Sequence, residues 1–165
     1  MDEEGISPHE IELIHRFTAI RLHEHERPFS DVVHDYRRLE EEFVARAGDN
    51  EEFALHVKQR ISMLILGAAL MADQPHEVCL KIWAEVVERG FQDHATKRVH
   101  TGIYARCCQQ NGEFAAGIAA LEPLIAEIEI ALKGKALTRK DRKWYKSDLV
   151  IACKIRDELK AGLKK

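Results

Sequence analysis

Little in this chain of 165 residues breaks a helix: it holds four prolines and nine glycines, spread thinly. β-branched residues do not alternate with polar ones, and no Asn-Gly turn sits between alternating runs, which argues against β-hairpins. The motifs that announce common catalytic sites are missing as well. There is no HExxH, no GxSxG, no phosphate-binding loop and no glycine-rich dinucleotide fingerprint. Carboxylate pairs such as Asp2/Glu3 and Glu40/Glu41 lie in charge runs that read as solvated faces. No enzyme activity and no cofactor are therefore expected.

Cysteine is sparse and poorly placed for cross-linking. Cys79, Cys107, Cys108 and Cys153 form no CxxC pair, and each sits in an apolar stretch. They read as buried thiols in a reducing compartment. The start, MDEEGISPHE, is acidic and has no positive stretch followed by an apolar one, so no secretory signal is expected. The longest apolar run, Ile61 to Ala72, is shorter than the roughly 20 residues that a membrane span needs. A cytoplasmic chain with no membrane partner is the expectation, and the oligomeric state is left open.

What is present is helical periodicity nearly throughout, and the chain is expected to be a single all-α domain over 1–165. Stripes at three- and four-residue spacing predict seven helices. The first runs over 8–24 with Leu13, Phe17 and Ile20. The second runs over 28–46 with Phe29, Val32, Tyr36, Leu39 and Phe43. The third spans 51–72 behind an N-cap at Asp49 or Asn50, and is apolar on nearly all sides in its second half. The fourth follows Gln74-Pro75 and ends at Gly90. The fifth covers 95–110, closed by Asn111-Gly112. The sixth runs from Glu113 to just before Gly134, with Pro123 expected to kink it or shift its start. The seventh, over 138–163, opens on Thr138 with Asp141 three residues on.

Nine histidines are the only candidate metal ligands of note, and no two stand three or four residues apart, the spacing that puts both rings on one helix face. The densest stretch, RLHEHERPF (Arg21 to Phe29), places His23 and His25 about 200° apart on a helix. Pro28 sets the stretch at a helix end, so it reads as a polar corner, and no metal site is expected.

The net charge of −3 conceals a split. From Lys133 to Lys165 twelve lysines and arginines face four acids, a local net of +8, leaving −11 on the rest. A basic helix docked on an acidic body and a site for a polyanion both fit this split.

Residues 60–131 overlay on themselves at a separation of 38. Leu66-Gly67 falls on Tyr104-Ala105, Leu70 on Cys108, Gln74 on Gly112, His76 on Phe114, Cys79 on Gly117 and Trp83 on Leu121. The small residues Gly67 and Ala105 are expected to meet Cys79 and Gly117, so that paired helices approach closely. The pattern, clearest in YARCCQQNGEFAAGIAAL (Tyr104 to Leu121), resembles the tetratricopeptide repeat. That resemblance implies two helical hairpins in a right-handed stack; an irregular helical bundle is the alternative. It departs from the family in its longer period and in lacking the closing proline.

The resemblance further implies a non-catalytic module that grips a protein or peptide on the first helix of each pair. The groove positions would be Val99, Gly102, Arg106, Gln109 and Gln110 in the second copy. In the first copy they would be Ile61, Leu64, Ala68, Met71 and Ala72. The alternative function is RNA or DNA binding through KGKALTRKDRKWYK (133–146). There Lys140, Arg142, Lys143 and Lys146 would contact phosphates and Trp144 would stack on a base.

Overall fold

The computed structural model describes residues 6–165, and the Asp2/Glu3 pair lies outside them. Among the described residues there are seven α-helices and no strand. Each helix starts where a local signal puts it. α1 (Pro8–His23) begins with Ser7 Oγ accepting from the amide of Glu10 at 3.2 Å. A 3-10 turn (Glu24–Glu26) and Pro28 lead into α2 (Phe29–Ala47), which stops at Gly48 with φ +54°. Asn50 Oδ1 caps α3 (Glu51–Met71) by accepting from Phe53 N at 3.1 Å. α4 (His76–Arg89) follows Pro75 and ends at Gly90, φ +81°.

α5 (His94–Gln110) opens on a full capping box between Asp93 and Thr96, a signal that the expected start at Ala95 overlooked. Gly112 turns the chain at φ +70° into α6 (Phe114–Lys133), which runs unbroken through Pro123. The proline neither delays the start of α6 nor divides it. Thr138 Oγ1 caps α7 (Arg139–Leu163) by accepting from Asp141 N at 3.1 Å.

Packing follows the chain. Each helix lies against the next, and in addition α3 packs on α5 and α5 on α7. α3 is the hub of the larger core, burying Val57, Ile61, Met63, Ile65, Leu66 and Ala69 among α2, α4 and α5. By length and composition it would also suit a membrane span, and half of its apolar window is buried in the bundle. A smaller core joins α5, α6 and α7 through Ala105, Leu121, Ile125, Ala152, Ile155 and Leu159. Between α4 and α5, Trp83 and Tyr104 stack with centroids 4.8 Å apart.

The close approach expected of small residues is realised in the second hairpin and not in the first. A Cβ at Gly117 would stand 3.2 Å from Cys108 Cβ and 2.9 Å from Leu159 Cδ1. A Cβ at Gly67 would meet nothing within 4 Å. Gly67 therefore does not press on Cys79, because its Cα points into an open groove.

A polar network ties α2 to α4 beside this core. Arg37 donates to Glu85 at 2.7 and 2.8 Å and to Glu40 at 3.0 Å. Arg89 meets Glu40 from the other side at 2.6 Å and donates to the carbonyl of Lys58 on α3 at 2.8 Å.

Candidate partner-binding groove

Where α1, α3 and α5 lie side by side they leave a groove of about 510 Å³. Its floor comes from α3, on which Arg60, Leu64, Gly67 and Met71 recur at intervals of four, three and four and so share one face. α1 contributes Phe17 and Arg21, the 3-10 turn contributes Glu24, and α5 contributes Thr96, Val99, His100 and Ile103. Leu70, Val99 and Ile103 are shared with a second pocket of about 240 Å³ between α5, α6 and α7, so the two form one trough.

The trough is apolar in the middle and cationic at one end. Arg60 holds its guanidinium 5.4 Å from the centre of the Phe17 ring, and its Nε is buried with no hydrogen-bond acceptor. Arg21 follows Phe17 by one helical turn on α1 and lines the same groove as Arg60. Most other arginines are engaged: Arg16, Arg27, Arg37, Arg46, Arg89, Arg98, Arg106 and Arg156 each pair with a carboxylate. His100 donates from Nδ1 to the carbonyl of Thr96 at 2.7 Å, which leaves Nε2 as the free nitrogen. Burial chiefly, and Arg60 beside it, push the His100 pKa down, although the Thr96 carbonyl pulls the other way. Glu24 is the acid at this end, and it accepts from Tyr36 Oη at 3.0 Å.

The groove positions drawn from the repeat are only partly open. Val99 is exposed and lines both halves of the trough. Gly102 faces α7, where a Cβ would meet Ile155 Cδ1 at 3.7 Å. Arg106 donates to Gln109 Oε1 at 2.6 Å and to Glu158 of α7, and Gln109 reaches the same carboxylate at 3.4 Å. Gln110 is exposed and outside both pockets. In the first copy Leu64, Ala68 and Met71 line the groove, Ala72 is exposed, and Ile61 is fully buried in the core. Phe17, Arg21, Arg60 and His100 were not foreseen.

The basic segment is also divided. Arg142 turns inward and caps α6, donating to the carbonyls of Leu132 and Gly134. Tyr145 is sandwiched inside, stacked on His94 at 4.9 Å with Arg98 4.4 Å above its ring. Lys140, Lys143, Trp144 and Lys146 face solvent. The α5–α7 pairs run against the expected polarity, with Arg98 and Arg106 on α5 and the acids, Asp148 and Glu158, on α7, whereas Lys160 of α7 meets Glu122 of α6 at 3.4 Å in the expected sense.

At the RLHEHERPF corner, His23 Nδ1 lies 3.2 Å from Glu26, and Arg27 pairs with Asp35. Among the described residues no three His, Cys, Asp or Glu side chains gather as metal ligands would. No protein-family model, no curated protein and no solved structure matches this chain.

Proposed function

We propose that this protein is a non-catalytic interaction module, built as a tetratricopeptide-like stack of helical hairpins, that holds a protein or peptide segment in the α1/α3/α5 trough. The observation that carries the reading is the trough itself. It is open to solvent, and keeps Met71 72% exposed on its floor and Val99 56% exposed on the α5 wall. Solvated apolar side chains lining a concavity mark recognition sites more often than catalytic ones when no reactive constellation accompanies them. The packing of α3 on α5 and α5 on α7 is the order that stacked hairpins produce. Its free cysteines suit a reducing compartment, and we place it in the cytoplasm.

The test compares two exposed apolar positions. Met71→Glu puts a charge in the trough, whereas Val87→Glu puts one on α4 outside it. Both variants keep the wild-type melting temperature within a few degrees. Capture of partners from cell extract is lost with the first and kept with the second; equal capture by both would reject the trough.

A second reading has its own observation. Lys133, Lys135, Arg139, Lys140, Lys143 and Lys146 are exposed around Trp144, itself 58% exposed, with no carboxylate within ion-pair distance among the described residues. Single-stranded RNA would contact this corner through phosphates and one stacked base. A gel shift at low salt that Lys140→Glu and Trp144→Ala abolish supports it; no shift removes it.

A further inference from the structure

We propose that the occupant of the trough is an acidic amphipathic peptide, whose apolar side chains lie along Leu64, Met71 and Val99 and whose carboxylate is received between Arg21 and Arg60. The proposal rests on the trough being the partner site and adds the chemistry of the partner. A guanidinium carries five N–H donors and no acceptor, so it satisfies them through carboxylates, carbonyls or water. Elsewhere in this protein most arginines meet that need internally. Arg60 does not: its Nε is buried against Phe17 with nothing to receive its proton, and no carboxylate among the described residues reaches its guanidinium. A buried donor left unpaired weakens the fold. A ligand carboxylate in the trough would pair with the terminal N–H groups of this guanidinium, since Arg–carboxylate pairs are often bidentate and roughly twice as strong as neutral hydrogen bonds.

The surroundings select the sign of the ligand. Arg21 lines the same groove one helical turn beyond Phe17 and has no carboxylate within ion-pair distance among the described residues. His100 presents Nε2 from the opposite wall. The acid present, Glu24, is already held by the Tyr36 hydroxyl. A basic peptide would meet two guanidinium groups, and an uncharged one would leave the Arg60 guanidinium without a carboxylate. Beyond Arg60 the floor of α3 carries Leu64 and Met71 two turns apart with Gly67 between them, a run long enough for two large side chains about a helical turn apart.

A random dodecapeptide library displayed on phage, panned against the full chain, supplies the probes. The expected winners place Asp or Glu within a turn of two large apolar residues. As labelled synthetic peptides they bind at least tenfold more weakly to Arg60→Gln and to Arg21→Gln, variants whose melting curves match the wild type. Changing the peptide's acid to its amide weakens binding to the wild type by the same factor and to Arg60→Gln by much less. Apolar winners that Met71→Glu rejects and Arg60→Gln does not would overturn the acidic partner while leaving the trough as the site. Winners indifferent to Met71→Glu would overturn both. Dodecanoate carries the same charge on an alkyl chain; displacement of the peptides by micromolar dodecanoate, with loss of that effect in Arg60→Gln, would assign the trough to a fatty acid instead.

Discussion

Arg106 on α5 pairs with Glu158 on α7, so the last helix covers Gly102 and Arg106, two of the positions at which the resemblance to a repeat would place a partner. This pair is half-exposed, and solvent screens it. The seam is held instead by Leu159, fully buried against Gly117, and by Ala152 and Ile155. Leu159→Ala is expected to destabilise the fold by about 2–5 kcal/mol. Arg106→Glu should barely change global stability and should raise amide exchange in α7, because it places two acids together. Hydrogen-exchange mass spectrometry on both variants checks this. Slow exchange in α7 after Leu159→Ala would show that the seam depends on something else.

Glu40 is the buried acid of the α2–α4 network, between Arg37 and Arg89. Removing it takes the buried acceptor from both guanidinium groups and leaves them to share Glu85, which Arg37 meets at 2.7 Å and Arg89 at 3.1 Å. Glu40→Ala should therefore lower stability by about 1–3 kcal/mol, more than the exposed acid Glu42 on the same helix would. Urea unfolding of the two alanine variants compares them directly. Equal midpoints would mean that Glu85, water and the Lys58 carbonyl satisfy Arg37 and Arg89 without Glu40.

His56, His94 and His100 share a direction: burial is the first cause in each, and it pushes the pKa below the ordinary value of 6.5. A neighbouring cation adds to it, Arg60 beside His56 and His100, and Arg98 beside His94. Glu10 and Glu127 oppose it at His56 and His94. Between the folded and unfolded pKa values the unfolded chain binds more protons, so stability rises with pH there. It should be full above about pH 6.5 and fall as the pH drops below that value. Glu42 and Glu158, whose pKa values their arginine partners lower, add a separate loss at more acid pH. Urea midpoints between pH 5 and 7.5 test the first window, and His100→Gln should flatten the slope while keeping a donor for the Thr96 carbonyl. A flat profile in the wild type would refute the assignment.

The helices were legible because their ends are written locally. Ser7, Asn50 and Thr138 each accept a backbone proton within one turn, and Pro28 and Gly112 stop or turn the chain at the expected places. The trough was legible only in part. The stripe Arg60, Leu64, Gly67 and Met71 could have been read from spacing, yet nothing local says that Phe17 and Arg21 close its end. The α7 seam was hidden for a similar reason. Arg98 and Asp148 lie fifty positions apart in sequence, and a net charge of +8 for the C-terminal region masks the fact that its few acids are what face α5. Charge totals describe a segment, whereas docking depends on which helix face each charge occupies.

Gly67 separates the demands of stability from those of the trough. It sits near the C-terminal end of α3, inside the helix, with no neighbour near the place of a Cβ, so nothing in the packing calls for a glycine. Glycine inside a helix costs roughly 0.5–1 kcal/mol relative to alanine. Gly67→Ala is therefore expected to raise stability by about that amount. A larger side chain would still fit the fold but would fill the groove between Leu64 and Met71, so Gly67→Leu should keep the melting temperature and lose binding of trough peptides. A drop in melting temperature for Gly67→Ala would mean that α3 and α1 approach more closely than the open groove allows. Undiminished peptide binding by a folded Gly67→Leu would move the binding face away from α3.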